Sequence, residues 1–450
     1  MPEQIDLFST PSMSAVFSYQ AHVQAMLTFE AALARSEARV SILTQEAAAR
    51  IEAVCRVERF DVAALYREAV VAGTPAIPLV RMLTAQVEGD AQTFVHWGAT
   101  SQDAIDTAMM LQMRHGLDLL IDDLDGVCTA CARLAEQHRS TLMIGRTLLQ
   151  QAVPITFGLK AARWLSLALR QMHTLRQHRA HTLAVQLGGA AGTLAALGQD
   201  GLHIAELLAE EVGLPMPDMP WHTERDRIAE IAAALGGVAG AMSKLAGDIV
   251  LLAQTEVGEV SEAAGLGKGG SSAMPQKHNP VDATNALASA RLAIGEVPVL
   301  LSAMAQEHER AVGGWQAEWV AIPNLFKFTA SAVEHTRLAV SGLQVDTQRM
   351  SANLNMTNGL VMAESLTMAL ARYMGKSEAH TLVQAMCIQA AKSGVHLRQV
   401  AEAETRVRSV FSVQEIDQAL DPGSYLGSTS LFIDRALASY HEVESARGDA

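Results

Sequence analysis

The sequence is poor in cysteine, in aromatic residues and in charge. Four cysteines among 450 residues exclude a disulfide framework. Aromatic residues make up only 4%, so the core must be built mainly from aliphatic side chains. Charged residues make up 18%, below the roughly 25% of an ordinary soluble domain. Lysine and arginine number 34 against 48 aspartates and glutamates, and the net charge of −14 argues against nucleic acid or an anionic membrane as a partner.

The shortage of charge can arise in two ways, which the composition leaves open. Either much surface is buried between subunits, which we favour, or the chain encloses one unusually large core. A chain of 450 residues is expected to form about two to four domains.

No targeting or membrane segment is expected. The N-terminus, MPEQIDLFST, lacks a basic stretch followed by an apolar run. Glu230, Lys244 and Asp248 interrupt the apolar region 228–260, which argues against a membrane span. We therefore expect a cytoplasmic protein.

Cys128 and Cys131 form a C-x-x-C inside a helical pattern. A zinc site would need two further ligands, and His115 and His138 are the nearby candidates. We interpret the two cysteines as thiols that face a core, and we predict neither a metal nor an organic cofactor.

Helical periodicity dominates the chain, and alternating strand patterns are almost absent. Apolar residues recur at helical spacing over residues 14–40, 101–138, 153–187, 222–260, 281–309 and about 314–342. Helices of 30 to 40 residues would be about 45 to 60 Å long, so they must pack against each other and against other subunits. Glycine and proline predict breaks near 73–78, 188–198, 213–220, 265–280 and 353–359. We predict an N-terminal helical domain over 1–110, a central long-helix bundle over 111–350 and a C-terminal helical domain over 351–450.

One predicted break is a glycine-rich loop, GKGGSSAMPQKHNP, at residues 267–280. Ser271, Ser272, Lys277 and Asn279 offer hydroxyl groups, a positive charge and an amide. Pro280 suits a helix start, whose free N–H groups attract anions. The loop could bind an anion, or it could simply connect two helices at the surface; alone it leaves both open.

Four other polar segments precede or open long helices: HWGATSQD, GRTLLQQAVP, WHTERDR and QEHERAVGGWQAEW. In the first, Thr100 and Ser101 could cap a helix with Asp103 close behind, or could hold a substrate carboxylate beside His96. The remaining three segments could equally be ordinary charged helix ends.

Taken together, these segments resemble the fumarase/aspartase superfamily. Its signature GSS-x-M-P-x-K-x-N-P is filled at every fixed position from Gly270 to Pro280, including Met274, and the resemblance covers roughly residues 10–430. It implies an all-α, three-domain fold whose central long-helix bundle forms a twenty-helix core in a homotetramer. It also implies active sites assembled from three subunits.

Members of this superfamily add or remove a group β to a carboxylate, which requires a base and fixed donors for the enediolate oxygens. The resemblance implies that Ser271 is the base, that Lys277 is also catalytic, and that Lys277 and Asn279 hold charged oxygens. A serine must be activated for this role, and Lys277 and the following helix N-terminus would favour its anionic form. The implied substrate-binding residues are His96, Thr100, Ser101, Arg146, Thr147, Gln150, Thr223, Arg225, Ser272, Met274, Asn279 and Arg310.

One residue departs from the fumarate-forming members, which usually carry histidine directly after Gly-Arg-Thr. Leu148 occupies that position here and cannot transfer a proton. With WHTERDR, QLGGAAGTLAALG and QEHERAVGGWQAEW, it resembles the bacterial 3-carboxy-cis,cis-muconate cycloisomerase branch. In that branch, which serves protocatechuate degradation through the β-ketoadipate pathway, a carboxylate of the tricarboxylate substrate closes a lactone by adding across a double bond. Leu148 would then be an apolar wall, and Lys277 and Arg310 are the cations that we most expect to meet the substrate.

Two alternatives remain. The first is an adenylosuccinate- or argininosuccinate-type lyase that makes fumarate by β-elimination. The second is a non-enzymatic structural protein, against which the intact Ser271, Lys277 and Asn279 argue.

Overall fold

The computed structural model describes residues 7–263, 265, 268–270 and 273–448, with residues 446–448 described by their backbone alone. The chain divides into two compact units. Unit 1 comprises Met1–Asp125, Arg170–Ser243 and Asn285–His335, and unit 2 comprises Gly126–Leu169, Lys244–Thr284 and Thr336–Ala450. The predicted division into three domains stays a prediction.

The described residues are predominantly helical. The α-helices are α1 (Pro11–Val16), α2 (Tyr19–Arg39), α3 (Gln45–Val54), α4 (Val62–Ala72), α5 (Ala76–Gln86), α6 (Ser101–Gln137), α7 (Phe157–His181), α8 (Gly201–Val212), α9 (Asp226–Leu252), α10 (Val281–Ser302), α11 (Gly314–Ser341), α12 (Thr347–Asn355), α13 (Ala363–Met374), α14 (Lys376–Ser393), α15 (Leu397–Ala403), α16 (Thr405–Arg408), α17 (Val413–Ala419) and α18 (Thr429–Gly448). The strands are β1 (Leu142–Thr147), β2 (Gln150–Thr156), β3 (Val260–Ser261) and β4 (Gln344–Val345). Short 3₁₀ turns lie at Val57–Arg59, Gly89–Phe94, Ala195–Asp200, Leu360–Met362 and Pro422–Ser424.

The predicted all-α character is confirmed, and the five long helices α6, α7, α9, α10 and α11 coincide with the five longest predicted runs. Their ends differ. The helix predicted over 153–187 begins at Phe157 and ends at His181, and the one predicted over 222–260 is Asp226–Leu252. Apolar periodicity continues past these ends because loop residues that pack on the core are apolar as well.

The residues ahead of α7 form an antiparallel hairpin of β1 and β2, in which Leu142 pairs with Thr156 and Thr147 with Gln150. Thr156 ends the hairpin and caps α7, because its hydroxyl group accepts a hydrogen bond from the backbone N–H of Leu159 at 3.1 Å. Pro154 lies in β2 opposite Ile144, where the local register is irregular. The helical expectation for residues 153–156 was therefore wrong.

Unit 1 has two packing regions. One is an apolar core from α2 to α5, in which Leu27, Leu65 and Leu83 are fully buried. In the other, long helices pack at close range through small residues. A Cβ added to Gly116 of α6 would lie 2.7 Å from the Phe326 ring of α11, so only glycine fits there.

Unit 2 has an apolar core from α13 to α17, together with Ile144 of β1. In this unit β3 pairs with β4 in an antiparallel arrangement, Val260 opposite Val345. This pairing places residues 260–261, ahead of the glycine-rich segment, next to the residues that follow α11.

One helix of the described residues, α9, is long and apolar enough to span a membrane by length and hydropathy. Half of its most apolar window is buried inside the structure.

Candidate active site

In unit 1, Asp103 near the start of α6 organises the HWGATSQD segment. Its buried carboxylate accepts backbone hydrogen bonds from Thr100 and Gly189 on one oxygen, at 2.9 and 3.0 Å. The other oxygen accepts from Gly188, at 2.9 Å, and from Nε2 of His222, at 2.7 Å. A Cβ on Gly188 would lie 2.7 Å from the His222 ring, so this approach requires glycine. One carboxylate thus fixes three chain segments relative to each other.

Thr100 and Arg310 come together in this unit. Thr100 contacts Asp103 through its backbone N–H, which donates to the Asp103 carboxylate. Its hydroxyl group makes a separate contact and accepts a hydrogen bond from Arg310 at 2.8 Å. Arg310 also donates to the backbone carbonyl of Ala190 at 3.1 Å. None of these described partners of Arg310 is a carboxylate, so its charge is available to an anion.

His96 lies just ahead of Thr100 with a left-handed backbone, φ 59°. Its Nδ1 is 2.6 Å from Oε1 of the buried Glu30 on α2. Burial alone would lower the pKa of His96, but the carboxylates of Glu30 and Asp103 outweigh it and raise that pKa overall. His96 can therefore carry a positive charge more readily than a free histidine.

Arg225, at the loop before α9, is 2% exposed and is held by two carboxylates. It donates to Asp106 of α6 at 2.8 and 3.2 Å and to Glu318 of α11 at 3.1 Å. Trp315 donates to Asp106 at 2.9 Å, and Gln306 donates to Glu318 at 3.1 Å. Burial disfavours the charged guanidinium, but the two carboxylates raise the pKa of Arg225. The described conformation offers this guanidinium to protein carboxylates; a contact of Arg225 with substrate stays a prediction.

Ser101 and Thr223 lie in the same unit. Ser101 is the first residue of α6 and is partly exposed. Thr223 is also partly exposed, and its hydroxyl group lies 3.4 Å from the Glu224 carboxylate.

In unit 2, the hairpin positions Arg146 against a buried carboxylate. Arg146 donates two hydrogen bonds of 2.8 Å to the two oxygens of Glu259, a bidentate pair. Asn353 donates to the same carboxylate at 2.8 Å, and Glu259 is fully buried. This contact joins the hairpin to the segment that leads into the glycine-rich loop.

Thr147 and Gln150 flank the two-residue turn of the hairpin, formed by Leu148 and Leu149. Both leucines have positive φ, 52° and 63°, as a type I′ turn requires, although the turn normally selects Asn and Gly. Leu148 is 96% exposed and Leu149 is 72% exposed. Within a single chain, therefore, the predicted apolar wall projects into solvent.

The described part of the glycine-rich loop presents Lys277 and Met274 to solvent. The backbone N–H of Asn279 donates to the Gly269 carbonyl at 2.8 Å, and its side chain donates to the same carbonyl at 3.3 Å. These bonds close the loop on itself, while the Lys277 ammonium group has no carboxylate partner among the described residues. Ser271 and Ser272 lie outside the described residues.

The N-terminus of α10 is capped by a carboxylate of the same chain. The N–H groups of Asp282 and Ala283 donate to the Glu262 carboxylate at 3.1 and 2.8 Å. Lys268 pairs with Glu262 at 3.9 Å and with Asp282. The surrounding cavity, of about 260 Å³, includes His278 and Asn279 in its lining.

The described residues among those predicted from sequence therefore divide between the two units. His96, Thr100, Ser101 and Arg310 gather around the start of α6, whereas Arg146, Thr147, Gln150, Lys277 and Asn279 lie on the hairpin and loop of unit 2. The carboxylates that fix these groups, Glu30, Asp106, Glu259, Glu262 and Glu318, were not predicted. Glu30, Asp106 and Glu318 are acidic residues at buried helix positions, whereas Glu259 and Glu262 flank the short strand β3 outside any helix.

No group of side chains suited to a metal ion occurs among the residues that the structure describes. Cys128 and Cys131 form no disulfide and have no exposed surface, as the core interpretation requires. Burial raises the pKa of Cys131 well above that of an ordinary thiol, so it is unreactive at neutral pH.

Comparison with known proteins identifies two family matches. A model described as "Lyase" matches residues 8–295, and one described as "Adenylosuccinate lyase C-terminus" matches residues 359–436. A 3-carboxy-cis,cis-muconate cycloisomerase of Pseudomonas aeruginosa is 47% identical, with 97% of this chain and 96% of that protein covered. One of Bradyrhizobium diazoefficiens is 46% identical, over 96% and 97%.

Among solved structures, the 3-carboxy-cis,cis-muconate lactonizing enzyme of Pseudomonas putida matches with a TM-score of 0.92 at 41% identity. The match covers 97% of this chain and 98% of that one. The fold, the filled signature and the full-length similarity agree, and the chain belongs to the lyase family of the fumarase/aspartase superfamily.

Proposed function

We propose that the chain converts 3-carboxy-cis,cis-muconate to 4-carboxymuconolactone, a step of protocatechuate degradation through the β-ketoadipate pathway. The observation that carries the proposal is an intact GSS-x-M-P-x-K-x-N-P signature combined with a leucine, Leu148, directly after Gly-Arg-Thr. The similarity to cycloisomerases along nearly the whole chain supports it.

The reaction is an internal addition. One carboxylate oxygen of the substrate forms a C–O bond to a carbon of the double bond, and the neighbouring carbon takes a proton. Between these events, charge gathers on the adjacent carboxylate as an enediolate. Substrate and product are isomers, so no water or ammonia needs to be activated. The reaction therefore does not require a proton-transferring histidine directly after Gly-Arg-Thr, and a leucine at that position is compatible with it.

The proposed roles divide between proton transfer and charge. Ser271 transfers the carbon-bound proton, while Lys277 and Asn279 stabilise the enediolate oxygens. Thr100 and Arg310 bind a second carboxylate of the substrate. Arg310 is suited to this role because none of its described partners is a protein carboxylate that would compete with the substrate. Arg146 would act less directly, because Glu259 already occupies its guanidinium.

A homotetramer with active sites shared between subunits completes the proposal. The exposed Leu148 and Leu149 need a cover if they are to exclude water from a reaction, and a neighbouring subunit is the expected one. Large apolar side chains are also exposed along α10, notably Leu292, Ile294 and Leu301 at 40%, 44% and 47%. Sedimentation velocity should give four copies of the 48.0-kDa chain, and a monomer at working concentration would contradict the shared site.

The protein is proposed to act in the cytoplasm, without a cofactor and without nucleic-acid or membrane partners. Its acidic balance and its family support this placement. Fractionation of cells that express the full-length chain tests it, and activity in the membrane fraction would contradict it.

The decisive experiment is a substrate comparison with the purified full-length chain. Lactonisation removes the conjugation of the diene, so ultraviolet absorbance should fall with carboxymuconate while the product keeps the mass of the substrate. Adenylosuccinate and argininosuccinate, assayed for fumarate release, are the controls. Turnover of either control without turnover of carboxymuconate would overturn the proposed reaction and favour the β-elimination alternative.

A further inference from the structure

Unit 1 contains a cavity of about 390 Å³ that includes none of the predicted active-site residues in its lining. Four aromatic side chains form much of its wall: Phe17, Tyr19, Tyr66 and Trp319. The Tyr19 and Tyr66 ring centroids lie 4.2 Å apart at an interplanar angle of 40°. Its volume lies within the roughly 300–1,000 Å³ of small-molecule sites, and aromatic walls favour planar rings.

The lining also carries the hydroxyl groups of Ser18 and Thr74 and the indole N–H of Trp319. Two further polar residues of the lining are His22 and Gln112, and their hydrogen bonds fix the histidine tautomer. The Gln112 side-chain amide donates to the backbone carbonyl of Val16 at 2.6 Å, so its carbonyl oxygen must face His22. That oxygen lies 2.7 Å from Nδ1 of His22, which must therefore carry the proton. Burial lowers the pKa of His22, which keeps the ring neutral. Nε2 is left as a hydrogen-bond acceptor with no partner among the described residues.

The lining contains no lysine, arginine, aspartate or glutamate. A carboxylate in this cavity would have no cation to offset its lost hydration, and the lone pair of Nε2 would repel it. A hydroxyl group, by contrast, can donate to Nε2 while its ring packs on the aromatic wall.

We propose that this cavity binds a small, neutral aromatic molecule that carries a hydroxyl group, with the hydroxyl group donating to Nε2 of His22. The tricarboxylate of the proposed reaction is unsuited to it on both counts, its negative charge and its lack of a donor. The site is thus distinct from the predicted active site and does not depend on the proposed reaction.

Calorimetric titration of the full-length protein with 2-naphthol tests the site. We expect 2-naphthol to bind, and 2-methoxynaphthalene, which has the ring but no donor, to bind about 5- to 10-fold more weakly, the worth of one net hydrogen bond. The anion 2-naphthoate should fail to displace 2-naphthol. Equal binding of the hydroxyl and methoxy compounds, or displacement by the anion, would overturn the proposal.

Two variants locate the site. His22→Phe keeps an aromatic ring but removes the acceptor, so it should abolish the preference for 2-naphthol over 2-methoxynaphthalene while both still bind. Val70→Trp lies on the cavity lining at a position that is 85% exposed, so it should block both compounds at least about 10-fold without unfolding the chain. Thermal denaturation checks that each variant folds. Unchanged binding in Val70→Trp, or no binding by the unmodified protein because a second copy covers the cavity, would overturn the proposal.

Discussion

Arg225 and Lys277 are two cations of the predicted site in opposite settings. Arg225 is 2% exposed, and its guanidinium is shared by Asp106 and Glu318. Lys277 is exposed on the loop before α10 and has no carboxylate partner among the described residues. In a chain of net charge −14, this difference separates cations that protein carboxylates already neutralise from those that an anionic substrate can still use.

The physical reason is desolvation. A buried guanidinium needs its carboxylates to offset its lost hydration, so it cannot exchange them for a substrate without a large penalty. An exposed ammonium group stays hydrated and gives up little when an anion arrives. Paired cations therefore hold segments in place, while unpaired ones are left to meet ligands.

The largest effect is expected at the loop. Ser271→Ala should lower kcat with carboxymuconate by about 10²- to 10⁴-fold, because a general acid–base group is lost. Steady-state rates, with thermal denaturation as the folding check, measure this. A near-normal kcat would remove Ser271 from proton transfer and leave the loop as a binding element alone.

The second-largest effect is expected at Arg225, the paired cation, and it concerns the stability of the fold. Arg225→Met should reduce the free energy of unfolding by about 3–5 kcal/mol, because Asp106 and Glu318 remain buried without their counter-charge. Urea denaturation at neutral pH measures the loss. Arg227→Met is the matched control, because Arg227 donates to the Thr182 backbone carbonyl instead of to a carboxylate. A stable Arg225→Met protein with a raised KM would assign Arg225 to the substrate after all.

Lys277→Met should do the reverse, lowering kcat about 10²-fold while stability is unchanged, since the side chain is exposed and the lost charge faces the transition state. Lys392→Met, on the exposed face of α14, serves as the control and should change neither quantity. If KM alone rises, the lysine binds substrate and transition state equally well.

Contacts between residues that are far apart in the chain limit how much of the fold and of the site could be predicted from the sequence. Long helices were predictable, because apolar residues that recur at helical spacing over 25 or more positions are typical of a helix and of little else. The hairpin of residues 142–156 was not, because its turn is Leu148–Leu149 and carries none of the Asn-Gly chemistry that marks such turns. Pro154 was the one local hint against a helix.

The site divided in a similar way. Residues in a contiguous signature, such as Lys277 and Asn279, could be singled out from sequence, whereas Arg225 could not be recognised as a paired cation. Its partner Asp106 is 119 positions away and its partner Glu318 is 93 positions away. Such pairing follows from the fold and leaves no local pattern.

Glu37 represents a third setting, that of a buried acid. Glu37 of α2 has no exposed surface, and neither of its carboxyl oxygens has a hydrogen-bond partner among the described residues. Burial, with a smaller contribution from nearby Glu30, raises the pKa of Glu37 to about 9. Arg225 is buried with two carboxylates that balance its charge, whereas Glu37 is buried without a partner among the described residues and keeps its proton at neutral pH.

The last prediction concerns Glu37→Gln, which should stabilise the protein by an amount that depends on pH. The folded pKa of about 9 lies above the ordinary value of 4.5, so the folded state holds its proton more tightly than the unfolded state. The stability that this group contributes is complete at low pH and is lost as pH rises towards the folded pKa, at up to about 1.4 kcal/mol per pH unit. Glutamine is neutral at every pH and close in shape, so the Tm advantage of the variant should be small near pH 5 and should grow steadily to pH 9. Glu88→Gln, at an exposed carboxylate, should show no such trend. A Tm difference for Glu37→Gln that is constant between pH 5 and pH 9 would mean that Glu37 is ionised in the folded protein, and that a buried charge can persist here without a partner.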